Sequence, residues 1–107
     1  MKRTIVALAL SCLGVAHAEF RDGNKLLADL QGDIYDRMYA MGYIVGVADT
    51  GRAIVHCMPA NATAGQINDM VKNYLENTPS ERHQTGDMIV SRVLKAVWPC
   101  AKRGSSL

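Results

Sequence analysis

The first eighteen residues decide how the rest of the chain must be read. Met1 to Ala18 runs MKRTIVALALSCLGVAHA: Lys2 and Arg3 give a positive start, Thr4 to Val15 an apolar core, and Ala16-His17-Ala18 an A-x-A site. That order is a secretory signal peptide, with cleavage expected between Ala18 and Glu19. A membrane anchor would need about 18 or more consecutive apolar residues, and this run is shorter. A lipoprotein signal on Cys12 would want leucine three residues earlier, where Ala9 stands. The expected product is one soluble domain, residues 19–107, exported to the periplasm and too small for a two-domain enzyme.

Export changes what the cysteines mean. Cys12 leaves with the signal, while Cys57 and Cys100 stay. An even count in an oxidising compartment predicts one disulfide between them. Closing a ring of 100 − 57 = 43 residues restricts the unfolded chain by roughly 4 kcal/mol in the chain-entropy model, a large share of the stability of so small a domain. No C-x-x-C is present to suggest redox work. Removing Lys2 and Arg3 also leaves 12 − 2 = 10 basic against 10 acidic residues. A nucleic-acid binder normally carries a basic surplus, so no nucleic-acid partner is expected.

The domain reads as helices throughout. Leu26, Leu27 and Leu30 have helical spacing, with Asp22 or Asn24 as cap and Gly32 as stop. Asp33 caps a second helix in which Ile34, Met38, Met41, Val45 and Ala48 recur at steps of three or four. Tyr35, Tyr39, Gly42 and Gly46 make a neighbouring stripe. Each of those glycines costs a helix roughly 1 kcal/mol relative to alanine, so their shared face predicts close approach of another helix. Tyr43 and Trp98 are read with them as packing residues. Thr63 and Gln66 form a capping box ahead of Ile67, Met70, Val71, Tyr74 and Leu75, the clearest amphipathic pattern in the chain. Thr78-Pro79-Ser80-Glu81 predicts a further helix with Pro79 at its first position, continuing past His83, Gly86, Val90, Val93 and Val97 to Trp98-Pro99-Cys100. Strand alternation is missing. The expected fold is all-α, a small bundle of about four helices with one disulfide.

Asp49 to Ala62 is the longest stretch that reads as irregular. Recognition residues concentrate on loops held by a rigid scaffold. Asp49, Thr50, Gly51 and Arg52 are therefore the candidate partner-binding loop, with Cys57 anchoring its far end. The alternative is that Ala53, Ile54 and Val55 pack onto the core as a continuation of the second helix. His56 reads as a partly exposed loop residue and His83 as part of a helix face. Adjacent His56-Cys57 lacks zinc-ligand spacing, Ser80, Ser91 and Thr85 suit caps and exposed helix faces better than a triad, and no glycine-rich phosphate loop precedes a helix. No catalytic residue, metal or cofactor is expected. The residues point to an interaction protein.

Several segments, in order, resemble the Rap1a/Tai family of small exported proteins. Gly23-Asn24-Lys25-Leu26-Leu27 resembles its opening helix, and Gly42 to Asp49 (GYIVGVAD) its G-Y-[IV]-x-G-[VI]-x-D motif. Cys57-Met58-Pro59 with Thr63 to Gln66 resembles C-x-P…T-x-x-Q, and Tyr74-Leu75 with Pro79, Arg82 and His83 resembles Y-L…P-x-x-R-H. Trp98-Pro99-Cys100 is similar to its aromatic-Pro-Cys terminus. Members commonly carry two further cysteines, one in the opening helix and one just before the G-Y motif. Here Leu30 or its neighbours and Ala40 or Met41 stand in their places, as if one whole disulfide were lost. The resemblance implies an all-α periplasmic immunity protein of type VI secretion, often a homodimer, whose protein partner is a papain-like peptidoglycan amidase that it inhibits by binding. A periplasmic chaperone, stress or envelope accessory protein is the competing class.

Overall fold

The computed structural model describes residues 20–101. The signal peptide expected at Met1 to Ala18 and the polar tail after Ala101 lie outside the described residues. Four α-helices make up the described bundle: α1 (Gly23–Leu30), α2 (Ile34–Gly51), α3 (Ala64–Asn77) and α4 (Gly86–Val97), with a 3-10 turn at Pro79–Glu81. Among the described residues no strand forms. The all-α expectation holds.

The helix starts are set by short polar side chains. Asp22 accepts from the Lys25 backbone N–H at 2.8 Å and Asp33 from that of Asp36 at 2.9 Å. Thr63 and Gln66 close the capping box in both directions, at 3.1 and 2.8 Å. Each cap satisfies a backbone donor that the first turn leaves free.

Every pair of helices touches, so the core is a single cluster. Leu26, Leu27 and Leu30 come from α1, Ile67, Val71 and Leu75 from α3, and Ile89, Val90, Val93 and Leu94 from α4. From α2 come Ala40, Ile44 and Ala48. This register differs from the sequence expectation. Ile34, Met38 and Met41 are exposed, Val45 is half-buried, and only Ala48 of the expected stripe is in the core. The helix is apolar nearly all round, so spacing alone does not say which stripe turns inward. Small Ala40 and Ala48 flanking Ile44 do, because they let α2 lie against the three other helices.

The last helix also starts later than expected. Pro79–Glu81 is a separate 3-10 turn, and α4 begins only at Gly86. The backbone between them has other duties. Gln84 and Arg82 carbonyls accept from Gly23 N–H at 2.9 Å and Asn24 N–H at 3.0 Å, and Gly86 N–H donates to the Arg21 carbonyl at 2.6 Å. The Arg82 side chain donates to the Leu75 and Glu76 carbonyls at 2.6 and 3.2 Å, ending α3. His83 consequently sits in this connection rather than on a helix face, its Nδ1 3.0 Å from the Ser80 carbonyl.

Candidate partner-binding surface

Cys57 and Cys100 are bonded, with their Cα atoms 4.9 Å apart, within the usual disulfide range. The bond fastens the segment after α2 to the end of α4. Beside it, Cys57 N–H donates to the Trp98 carbonyl at 2.8 Å, and half-buried Trp98 packs on the core.

Asp49, Thr50 and Gly51 were expected in a loop. They are the last turn of α2, and Arg52 is its C-cap. Gly51 is buried, and a Cβ there would stand 3.3 Å from the His56 ring. It is a packing residue and not a contact residue. Asp49, Thr50 and Arg52 remain exposed.

The correction at His56 explains why the helix ends here. Its side chain is 1% exposed, not partly exposed as the sequence suggested. The Met58 N–H donates to Nδ1 at 3.2 Å, so the ring proton sits on Nε2, which donates to the Ala48 carbonyl at 2.9 Å. Two otherwise unpaired backbone groups are satisfied by one buried ring. Sequence gave no sign of this, because a histidine eight residues after Ala48 has no periodic relation to it.

Between Gly51 and His56 the chain makes a tight turn. The Gly51 carbonyl accepts from Ile54 and Val55 N–H at 3.0 and 2.7 Å, and Ala53 N–H donates to the His56 carbonyl at 2.7 Å. Ala53 has φ 66°, a left-handed conformation that is costly for a residue with a Cβ. The turn lifts Ile54 to 81% exposure. The second reading of Ala53 to Val55, as helix packed on the core, is also not what forms.

Beside the turn runs an open groove of about 680 Å³, lined by Gly42, Tyr43, Gly46, Val47 and Ile54, with Asp87 and Ser91 on the opposite wall. The expected helix contact at Gly42 and Gly46 is absent among the described residues: an added Cβ at either would meet nothing within 4 Å. Close approach occurs at two glycines the sequence did not single out for it. At Gly23 a Cβ would fall 2.6 Å from Ile89 Cδ1 and 2.7 Å from the Arg82 carbonyl oxygen, and at Gly86 it would fall 2.9 Å from the Tyr43 ring. Tyr43 is half-buried and packs against the core. Burial, then the nearby Asp87 carboxylate, raises its phenol above the ordinary 10, so it stays neutral on the groove wall.

Among the described residues no group of three His, Cys, Asp or Glu is placed to hold a metal, and no helix is long and apolar enough to cross a membrane. What the surface offers is an exposed apolar turn and an apolar groove on a stapled scaffold. No curated protein sequence matches the chain. The family model described as Rap1a immunity proteins does match, over residues 22–100, which spans every described helix and both bonded cysteines, and the chain belongs to that family.

Proposed function

We propose that this chain is an exported immunity protein of a type VI secretion system, which binds and occludes a peptidoglycan amidase delivered into the periplasm. The observation that carries this reading is the family match across residues 22–100. Occlusion needs no catalytic group, only a rigid surface that fits a cleft. In this reading the protein is exported through the signal peptide at Met1 to Ala18 and works as a homodimer.

The contact surface is the end of α2 with the turn that follows it. Asp49, Thr50 and Arg52 are exposed there, and Ile54 stands out beyond them. Ile54 supplies an apolar anchor, and the Arg52 guanidinium beside it can pair in bidentate fashion with an acidic rim. The disulfide and buried His56 hold this segment in place, so little entropy is lost when it enters a cleft.

The test is purification with a papain-like amidase encoded beside its gene, followed by a peptidoglycan-cleavage assay. Tight binding and loss of cleavage are expected. Amidase activity unaffected by excess protein would defeat the proposal. Exchanging Arg52 for Glu and Ile54 for Asp, with folding checked by circular dichroism, locates the surface. Undiminished affinity of that variant moves it to the exposed face of α3.

A further inference from the structure

We propose that the groove between α2 and α4 receives one lysine or arginine side chain of the partner protein, with its stem along the groove and its charged head on the Asp87 carboxylate. The identity of that partner rests on the immunity reading above, while the chemistry of the inserted group rests on the groove alone.

The groove is open because of what α2 lacks there. An added Cβ at Gly42 or Gly46 would meet nothing within 4 Å, so the helix leaves a channel where side chains would otherwise stand. Its volume of about 680 Å³ falls in the roughly 300–1,000 Å³ range of sites that take a small ligand. Val47 and Ile54 make the channel apolar. Thr50 commits its hydroxyl proton to the Gly46 carbonyl, at 2.8 Å.

Across the channel stands a charge without a counter-ion. Asp87 alone is charged among the described residues that line the groove. It is exposed and makes no ion pair among the described residues. Arg21, the basic group whose charge also acts on Tyr43, is engaged elsewhere, 3.2 Å from Asp29 and 4.5 Å over the Tyr39 ring. Asp87 lies in the first turn of α4, where the helix dipole favours a carboxylate but supplies no cation. Its field reaches the groove wall, since after burial it is the next cause that raises the Tyr43 phenol.

An apolar channel that ends on a lone carboxylate selects its guest. A wholly apolar side chain would cover Asp87 and leave it without a partner, which is costly. An acidic one would be repelled. Lysine and arginine combine an apolar stem with a cationic head, and that head can donate a charge-assisted hydrogen bond to the carboxylate. Half-buried Ser91 on the same wall can accept a second N–H. Ile54 borders both this groove and the contact turn, so a protein held by the turn has its own side chains beside the channel. The two charges then work in opposite senses: Arg52 offers a cation to the partner, and Asp87 receives one.

The guests n-propylguanidinium and n-butylammonium, the two side chains without their backbone, would be titrated into the isotope-labelled exported protein and followed by NMR. Butyrate serves as the anionic control. Saturable shifts at the Gly46, Val47 and Ser91 amides are expected with at least one cation, in the millimolar range suited to so small a guest. Asp87→Asn should weaken that binding by roughly 10-fold or more, and Gly46→Leu, which fills the channel, should abolish it with the fold intact by circular dichroism. The proposal is overturned by shifts spread evenly over all exposed carboxylates, by butyrate binding as well as the cations, or by binding that survives both substitutions. With the amidase of the preceding test, Asp87→Lys should weaken association by roughly 30-fold or more. An amidase silenced equally well by that variant would overturn the groove as a contact and leave the immunity reading standing. A wild type that takes the cations selectively but inhibits no amidase would support the groove and defeat the immunity reading.

Discussion

Two pairs of glycines in this chain look unlike in sequence, and each does the opposite of what its spacing suggests. Gly42 and Gly46 lie four apart in the longest helix, in the arrangement associated with close helix contact, and face open space. Gly23 and Gly86 are the first residues of α1 and α4, sixty-three positions apart (86 − 23), and both are buried. The bundle is tightest at the second pair. There the starts of two helices cross, Asp22 and Thr85 form an antiparallel bridge, and each helix finds backbone acceptors in the segment leading to the other. A glycine is required where backbone meets backbone, and helical spacing does not report that.

The strongest way to break this comparison is Gly23→Ala. Its Cβ would meet the Arg82 carbonyl oxygen at 2.7 Å and Cα at 2.9 Å, and backbone cannot swing aside. A loss near the top of the overpacking range, about 3 kcal/mol, is expected, or at least ~10 °C in melting temperature for a domain this small. An unchanged melting curve would mean that the α1–α4 crossing is looser than drawn. Gly86→Ala should cost less, about 1–2 kcal/mol, because its Cβ meets the far end of the Tyr43 side chain. Shortening that neighbour by Tyr43→Ala should remove most of the extra cost. A double variant that shows simple additivity would count against the contact.

How far the sequence carried can be judged residue by residue. Asp22, Asp33, Thr63 and Gln66 were legible because a cap is a local hydrogen bond within three residues. The α3 core was legible because one face of that helix is polar. The pairing of Cys57 with Cys100 followed from counting after export. The α2 register was hidden by a helix apolar on nearly every side. The late start of α4 was hidden because the Arg82 and Gln84 carbonyls serve α1, dozens of positions away, while the Arg82 side chain closes α3. Buried His56 was hidden because its bond to the Ala48 carbonyl, eight residues back, follows no helical or strand period, and with it the fact that Asp49 to Gly51 stay helical. At the candidate site the segment was identified but its shape was not. Arg52 belongs to it, Gly51 supports it from beneath, and Ile54, which the alternative reading packed on the core, stands exposed.

The second glycine pair sharpens the comparison through a change of sign. Gly42→Ala and Gly46→Ala place a methyl group in open space, so each should gain about 0.5–1 kcal/mol from helix propensity and reduced unfolded-state freedom. Unfolding must be followed at a dilution where chains are single, since the proposed function has the protein work as a homodimer. A loss of stability at either position under those conditions would show that something within the chain packs there after all.

The smallest effect expected is at Ala53, the reverse case, where the backbone is left-handed and glycine is missing. At φ 66° a Cβ costs about 1 kcal/mol. Ala53→Gly relieves that cost but frees the unfolded chain by about half as much, so a net gain of about 0.5 kcal/mol is the expected balance, or about 2–4 °C. Loss of stability instead would mean that the Cβ of Ala53 makes a contact worth more than its strain. Strain of this kind persists only where the surroundings impose it. Here they are the three amides on the Gly51 carbonyl, the buried His56 ring and the disulfide at Cys57. Relaxing Ala53 should therefore leave the fold unchanged and loosen only the presentation of Ile54. Protein binding through this turn would then weaken as stability rises, because an anchor that is no longer held in place must be ordered again on entering a cleft. Stability and affinity rising together would show that Ile54 is held from its other side, by Gly51 and Val55 alone.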